Sequence, residues 1–324
     1  MQTQTLQWDP LLYDFEMPLR AVHYPVGFPL ELATNSEEIL AAAKESWGYF
    51  EKVFSHPPRE LRIGVLAGGP AECPPNPVHR QQRNLRACIA DAENFSISDL
   101  KRGFAFAWLT RATVENRAYL RWHFLEAMSW DLLGVYLTPV HAACVSLENR
   151  GVLLCGDANA GKSSLAFACA KKGWSYMADD STSLVRGRND AMVVGNPYQI
   201  RFRESAIDLY PELKDWPLTL RATGEMAIEL RTARMPEIRT TTECFVRYIV
   251  FLRRGHSGPP RLSPFPKPEA FRWFEQVICC GESDIVEAQK ASLQSLLRAE
   301  IFELHYSDLA AAVSRLEQMI ETGY

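Results

Sequence analysis

The sequence predicts an α/β fold over residues 118–324, preceded by an α+β region over residues 1–117. Three observations carry this. An apolar strand pattern, Val152-Leu153-Leu154-Cys155, runs into a glycine-punctuated loop that opens onto the helical run Ser164 to Ala168. Strand-sized and helix-sized apolar patterns then alternate to the C-terminus. Before residue 118, short runs rich in Val, Leu and aromatics are broken by prolines and mixed with one clear helical pattern.

In the first region, Tyr13 to Glu31 reads as short strands. Asn35 or Ser36 offers an N-cap to a helix running to about Glu51, with Ile39, Leu40, Ala43, Trp47 and Phe50 at helical spacing. Leu61 to Leu66 is a strand ending at Gly68-Gly69, and Pro74-Pro75-Asn76-Pro77 is a loop. Extended runs at Arg86 to Ile89 and Gly103 to Leu109 precede a helix from Val114 to Leu133, where Leu120, Phe124, Leu125, Met128 and Leu132 form a core-facing stripe.

In the second region, Val140 to Leu147 and Gly151 to Cys155 read as strands joined by the turn Glu148-Asn149-Arg150. A helix from Lys162 ends near Lys172 with Gly173 as its C′ residue, and Trp174 to Ala178 is the next strand. Ile200 to Phe202, Ala227 to Leu230 and Tyr248 to Leu252 are further strands. The proline-rich stretch Gly255 to Pro268 reads as a surface loop. Helices Glu269 to Cys279 and Ser283 to Ala299, a strand Ile301 to His305 and an amphipathic helix Asp308 to Ile320 close the chain.

The composition is that of an ordinary soluble globular protein, 47% hydrophobic and 23% charged. A formal net charge of -4 offers no reason to expect nucleic acid or an acidic membrane surface as a partner. Met1-Gln2-Thr3-Gln4-Thr5 lacks the basic and apolar regions of a signal peptide, and Met128 to Leu147 is interrupted by Asp131, Pro139 and His141. A cytoplasmic protein is therefore expected. Its eight cysteines show no CxxC pair and read as small buried hydrophobes. The vicinal Cys279-Cys280 reads the same way, with redox activity as the alternative.

Gly156-Asp157-Ala158-Asn159-Ala160-Gly161-Lys162-Ser163 fits the P-loop pattern G-x-x-x-x-G-K-[ST] with the strand before it and helix after it that the pattern requires. Glycines let successive N–H groups turn inward onto phosphate oxygens, and the helix entered at Lys162-Ser163-Ser164 adds its positive dipole end. ATP with Mg²⁺ is the expected ligand: Lys162 reaches the β- and γ-phosphates and the Ser163 hydroxyl ligates the metal. No Asn-Lys-x-Asp guanine-reading motif is present.

Asp179-Asp180 follow the Trp174–Ala178 strand directly. A strand–helix–strand unit sets both carboxyl strand ends on one edge of the sheet, so this acidic pair lands beside the loop. One carboxylate is expected to hold Mg²⁺ and the other to take a proton from an attacking hydroxyl; the alternative is a solvated turn. If the two strands around residues 148–150 pair as a hairpin, Asp157 lies opposite His141. The imidazole then stands at the mouth of the loop, to contact the γ-phosphate or orient a carboxylate; the alternative is a structural histidine.

This constellation resembles the catalytic domain of HPr kinase/phosphorylase and its relatives. The resembling residues are His141 on a strand, the loop at 156–163, Lys172-Gly173 and Ala178-Asp179-Asp180, with seventeen residues separating Lys162 from Asp179. Asn196 to Arg203 and Ile249 to Arg254 look like later strands of the same group. The resemblance implies a P-loop domain akin to the phosphoenolpyruvate carboxykinase fold, and a kinase moving the γ-phosphate of ATP to a serine hydroxyl. By carry-over, His141, Lys162, Ser163, Asp179 and Asp180 match functional positions, and one of the two aspartates is the implied base, Asp179 slightly ahead of Asp180.

Arg203 and Glu204 occupy the place of the family's glycine-rich signature and are candidate phosphate contacts. The stretch Arg201 to Ile207 lacks those glycines, so neither HPr as acceptor nor phosphorylase activity carries over. The expected acceptor is a protein, a peptide or a small hydroxyl compound. The alternatives are a metabolite kinase, a carboxykinase-like transferase and a non-catalytic nucleotide sensor. Residues 1–117 are open to acceptor recognition, to assembly of a homo-oligomer or to completing the fold alone.

Overall fold

A computed structural model describes residues 16–221, 224–255, 258–278 and 282–323. The chain divides into two compact units, Met1–Val135 and Tyr136–Tyr324. The helical run ending at Leu133 therefore belongs to the first unit. Cys279-Cys280 lies outside the described residues.

The first unit holds one mixed sheet of β1 (Leu19–His23), β2 (Leu30–Thr34), β3 (Arg59–Val65), β4 (Val78–Gln82), β5 (Leu85–Ile89), β6 (Phe95–Asp99) and β7 (Phe104–Leu109). Their order is β1-β2-β3-β7-β6-β5-β4. Two of these strands have no counterpart in the sequence pattern. β4 is exposed along its whole length, and β6 buries Ser96 and Ser98 rather than its apolar neighbours, so neither shows the usual alternation. α1 (Glu37–Trp47) follows Ser36 and stops at Gly48, short of the expected Glu51. The Ser36 hydroxyl donates to the Glu38 carboxylate (2.6 Å) instead of capping the helix backbone.

The single helix expected from Val114 to Leu133 is broken into α2 (Arg111–Glu115), α3 (Arg117–Leu120), a wide π segment (Arg121–Glu126) and α4 (Ala127–Leu133). Asn116 makes the break: its backbone leaves the helical region and its side chain accepts from the Tyr119 N–H at 3.2 Å. The predicted stripe Leu120, Phe124, Leu125, Met128 and Leu132 is nevertheless fully buried.

The second unit is built on a sheet whose main path is ordered β11-β9-β10-β17-β13-β12-β8. Its strands are β8 (Leu137–Pro139), β9 (Ala143–Leu147), β10 (Arg150–Cys155), β11 (Ser175–Ala178), β12 (Ser183–Val185), β13 (Met192–Val194) and β17 (Glu243–Arg254), with β18 (Arg261–Pro264) and β19 (Glu300–Tyr306) joined through β17. A second, small sheet is formed by β14 (Gln199–Phe202), β15 (Leu218–Leu220) and β16 (Met226–Arg231). The proline-rich stretch is thus not all loop: β18 pairs antiparallel with β19, and Pro264 ends it where a missing donor costs least.

Alternation along the central strands builds two cores. Val152 and Leu154 of β10, with Val250 and Leu252 of β17, face a cluster that includes α5 (Lys162–Lys171) and α8 (Leu309–Thr322). Leu153 and Cys155, with Ile249 and Phe251, face the other cluster, shared with α6 (Lys267–Glu275) and α7 (Ser283–Leu296). A sheet covered by helices on both faces needs apolar residues at every position, which is why β10 reads as a continuous apolar run. On α8, Leu316, Met319 and Ile320 are at most 1% exposed, each contributing roughly 1.5–3 kcal/mol of burial. Asp308 caps this helix by accepting from the Ala311 N–H at 2.7 Å.

Candidate functional site

The loop sits between β10 and α5, and its glycines hold conformations a side chain would disturb. Gly156 has φ 148°, and a Cβ there would lie 2.8 Å from the Ala160 Cβ. Gly161 has φ 94°, and its Cβ would meet the Tyr306 hydroxyl at 2.5 Å. Asn159, with φ 69°, also takes the left-handed conformation that Asn tolerates. The loop closes by an Ala160 N–H to Asp157 carbonyl bond (3.1 Å), and no side chain caps α5. Ala158 lies inside this turn, and Ser163 and Ser164 follow Lys162 in the first turn of α5.

Lys162 is buried, 8% exposed, and its ammonium donates to the carbonyls of Gly156 (2.8 Å) and Asp157 (3.4 Å). A buried cation hydrogen-bonded only to carbonyls, with one half-exposed carboxylate at 3.9 Å, attracts an anion. Two tyrosines brace the loop from outside the motif. Tyr306 Oη donates to the Ala160 carbonyl (3.1 Å) and Tyr210 Oη to the Ser164 carbonyl (2.7 Å). Burial pushes the Tyr306 phenol up to about 12 and raises that of Tyr210 as well, so both are kept as donors.

The acidic pair divides its roles. β10 and β11 are both antiparallel to β9, which lies between them, so they run parallel and end on the same edge of the sheet. Asp179 turns away from the lysine: its Oδ2 accepts from the Arg201 backbone N–H at 2.7 Å, tying the end of β11 to β14. Burial raises its carboxyl above the usual range, against the lowering pull of the Arg201 N–H and guanidinium. Asp180 is half-exposed and faces the loop, with Oδ1 3.9 Å from Lys162 Nζ and 3.2 Å from His141 Nδ1. Of the two acids, Asp180 is the one set beside Lys162 and His141.

His141 reaches this position by a different route from the one expected. The hairpin pairs Leu147 with Arg150 and Ala143 with Leu154, one residue out of the anticipated register. Its turn is two residues long, with positive φ at Glu148 (50°) and Asn149 (61°), as a type I′ hairpin demands. β9 begins only at Ala143. His141 lies before it in a left-handed conformation (φ 50°), so its approach to Asp180 comes from a break in the chain and not from strand pairing with Asp157. A non-glycine residue held there is strained, and such strain gathers at functional sites.

The arginines scatter. Arg203 Nη1 donates to Asn159 Oδ1 at 2.7 Å and so belongs to the loop. Glu204 opens a short 3-10 turn, is exposed, and has no hydrogen bond or ion pair to the loop among the described residues. Arg201 pairs with Glu229 (3.3 Å) and Arg253 with Glu303 (2.7 Å). Arg254 stays near the loop: its Cδ lies 3.9 Å from where a Cβ on Gly161 would be.

A cleft of about 370 Å³ adjoins Gly156 and Asp157 and is lined on its far side by α6 residues including Arg272 and Trp273. Trp273 stacks on His141, ring centroids 6.4 Å apart and 26° between planes. Sequence reasoning missed Tyr210, Tyr306, Arg272 and Trp273. Only the last two carry a signal, since Glu269, Arg272, Trp273 and Gln276 fall on one face of a helix. Among the described residues no group of three or more His, Cys, Asp or Glu side chains could cage a metal, and no helix is long and apolar enough to cross a membrane.

No family model matches the chain, and no curated protein matches its sequence. Among solved structures, the Hpr(Ser) kinase/phosphatase from Coxiella burnetii aligns with 57% of this chain and 99% of its own at 14% identity. The TM-score of that alignment is 0.30, and no residue role is carried across from it.

Proposed function

We propose that the protein is a Mg-ATP-dependent phosphotransferase that moves the γ-phosphate to a serine-type hydroxyl. The observation that carries this is the cluster at one sheet edge: buried Lys162 in a glycine-shaped loop, with Asp180 3.9 Å from it and His141 3.2 Å from Asp180. The loop fits a polyphosphate because Gly156 and Gly161 hold left-handed backbone conformations that let the chain curl tightly, and because the uncapped start of α5 leaves backbone N–H groups to donate. A magnesium ion, when bound, would neutralise charge on the β- and γ-phosphates; the Ser163 hydroxyl would hold it together with phosphate oxygens, the usual sparse protein share of such a site.

Lys162 stabilises the charge that develops on the phosphate oxygens, and Arg203 and Arg254 flank the loop from outside. Asp180 accepts the proton of the attacking hydroxyl, while His141 orients that carboxylate. Asp179 positions the turn through Arg201 and does not touch the reacting atoms. Two acceptor classes follow: a serine in a protein or peptide, as the motif resemblance implies, or a small hydroxyl compound. The cleft beside Gly156 favours the second, because its volume of about 370 Å³ falls in the range of small-molecule sites.

The test is incubation with γ-labelled ATP and Mg²⁺, with Lys162→Ala as the control. A labelled product that depends on Lys162 is expected. Tight ATP binding with no transfer to any hydroxyl acceptor would favour a nucleotide sensor instead.

A further inference from the structure

α6 presents two faces of different character. Ala270 and Phe274 are fully buried in the core, whereas Glu269, Arg272, Trp273 and Gln276 line the cleft that opens onto Gly156 and Asp157. Glu269 and Arg272 are spaced as an ion pair on one helix face, yet among the described residues neither has a salt-bridge partner. The second cation of the cleft, Arg253, is already neutralised by Glu303 at 2.7 Å. Trp273 and Phe265 provide aromatic walls, and Trp273 connects the cleft to His141 and through it to Asp180.

We infer that this cleft binds the phosphate acceptor, and that the acceptor is a free hydroxy-α-amino acid; the inference rests on the phosphotransferase reading above. Glu269 pairs with the α-ammonium group and Arg272 with the α-carboxylate, the latter by the planar fork that suits a carboxylate. Opposite charges on one wall match a zwitterion and reject a residue inside a polypeptide, which has neither free group. Phe265 and Trp273 offer the short side chain apolar contact. Its hydroxyl oxygen forms a bond to the γ-phosphorus as the bond to the β,γ-bridging oxygen breaks. ADP leaves with that electron pair, and the hydroxyl proton passes to Asp180, giving the O-phospho-amino acid.

The experiment measures ATP affinity by calorimetry and transfer from γ-labelled ATP to L-serine, L-threonine, L-homoserine and N-acetyl-L-serine amide. It uses the wild-type chain and Arg272→Ala, Arg272→Lys, Glu269→Gln and Trp273→Phe. At least one free amino acid is expected to be phosphorylated and the capped serine not. Arg272→Ala raises KM for that amino acid by about tenfold or more, as loss of a charge-assisted pair does, with ATP affinity within about twofold of wild type. Arg272→Lys recovers part of the loss. Arg272 and Glu269 are exposed, so their variants fold whatever the role of the conservative Trp273→Phe.

Intact ATP binding with transfer to none of the free amino acids overturns the inference and leaves the nucleotide site standing. Equal transfer to the capped serine overturns it in favour of a peptide acceptor. Matching losses of ATP affinity in the α6 variants overturn it by placing the nucleoside in the cleft. Failure of the wild-type chain to bind ATP removes the phosphotransferase reading itself.

Discussion

Each unit contains a junction at which a strand of its sheet runs into a helix, and the two treat their polar groups in opposite ways. In the first unit β7 passes through Thr110 into α2. There buried Asn94 accepts from the Thr110 N–H (2.8 Å), the Thr110 hydroxyl (3.0 Å) and the Thr113 hydroxyl (2.5 Å), while its own amide donates to Asp91 at 3.0 Å. In the second unit β10 passes through Gly156–Gly161 into α5, and no side chain caps the helix. In the first junction the polar side chains close on one another around Asn94, although no side chain caps α2 there either. The second has no such network: its buried ammonium rests on the Gly156 and Asp157 carbonyls beside an uncapped helix start. The two junctions differ in their side chains and not in helix capping: one ties its polar groups together, the other sets a lone ammonium inside a loop shaped by glycines.

Several substitutions would break or sharpen that contrast. The largest effect is expected from Asp180→Asn, which should lower phosphoryl transfer by roughly 10²–10⁴-fold while ATP binding, read by calorimetry, persists. If transfer survives, the carboxylate facing Lys162 is not the base. Gly161→Ala forces a Cβ into a left-handed backbone position against Tyr306. Denaturant unfolding should report a loss of about 1–3 kcal/mol, with weaker ATP binding alongside. Asn94→Ala strips the acceptor from the closed junction. A stability loss of roughly 1–3 kcal/mol is expected with nucleotide affinity unchanged, and a change in affinity would refute the separation of roles.

The smallest effect concerns Asp179. Because burial raises its carboxyl pKa in the folded state, the native chain holds that proton more tightly than the unfolded chain. The stability this provides at low pH is lost as pH rises through the raised value. Asp179→Asn retains an oxygen for the Arg201 N–H and removes the buried charge. Its melting temperature at neutral pH should equal or exceed that of wild type, with the difference closing toward about pH 4. A clear loss of stability at neutral pH would show that the ionised carboxylate is needed where it stands.

Local pattern made much of the second unit legible. Val152–Cys155 had to be an interior strand, Gly173 (φ 92°) had to end α5, and Asp308 had to begin α8, since each depends on residues within a turn or two. β6 escaped because its buried face is serine, and α2–α4 looked continuous because a side-chain cap at Asn116 competes with the helix without disturbing the apolar stripe. β18 was hidden by prolines that an edge strand tolerates.

What the sequence by itself determined is the local chemistry: a loop able to curl around phosphate, a lysine at its end, and two acids following the next strand. Tertiary structure decided which of those acids faces the lysine. It did so because β9 lies between β10 and β11, and because β14 takes Asp179 through the Arg201 backbone. It also brought His141 to Asp180 through a left-handed break before β9, and set Arg272 and Trp273 beside the loop from more than a hundred residues away. The loop's conformation is encoded by steric limits within a few residues, whereas the remaining geometry depends on which strands pair and in what register, a property of the whole sheet.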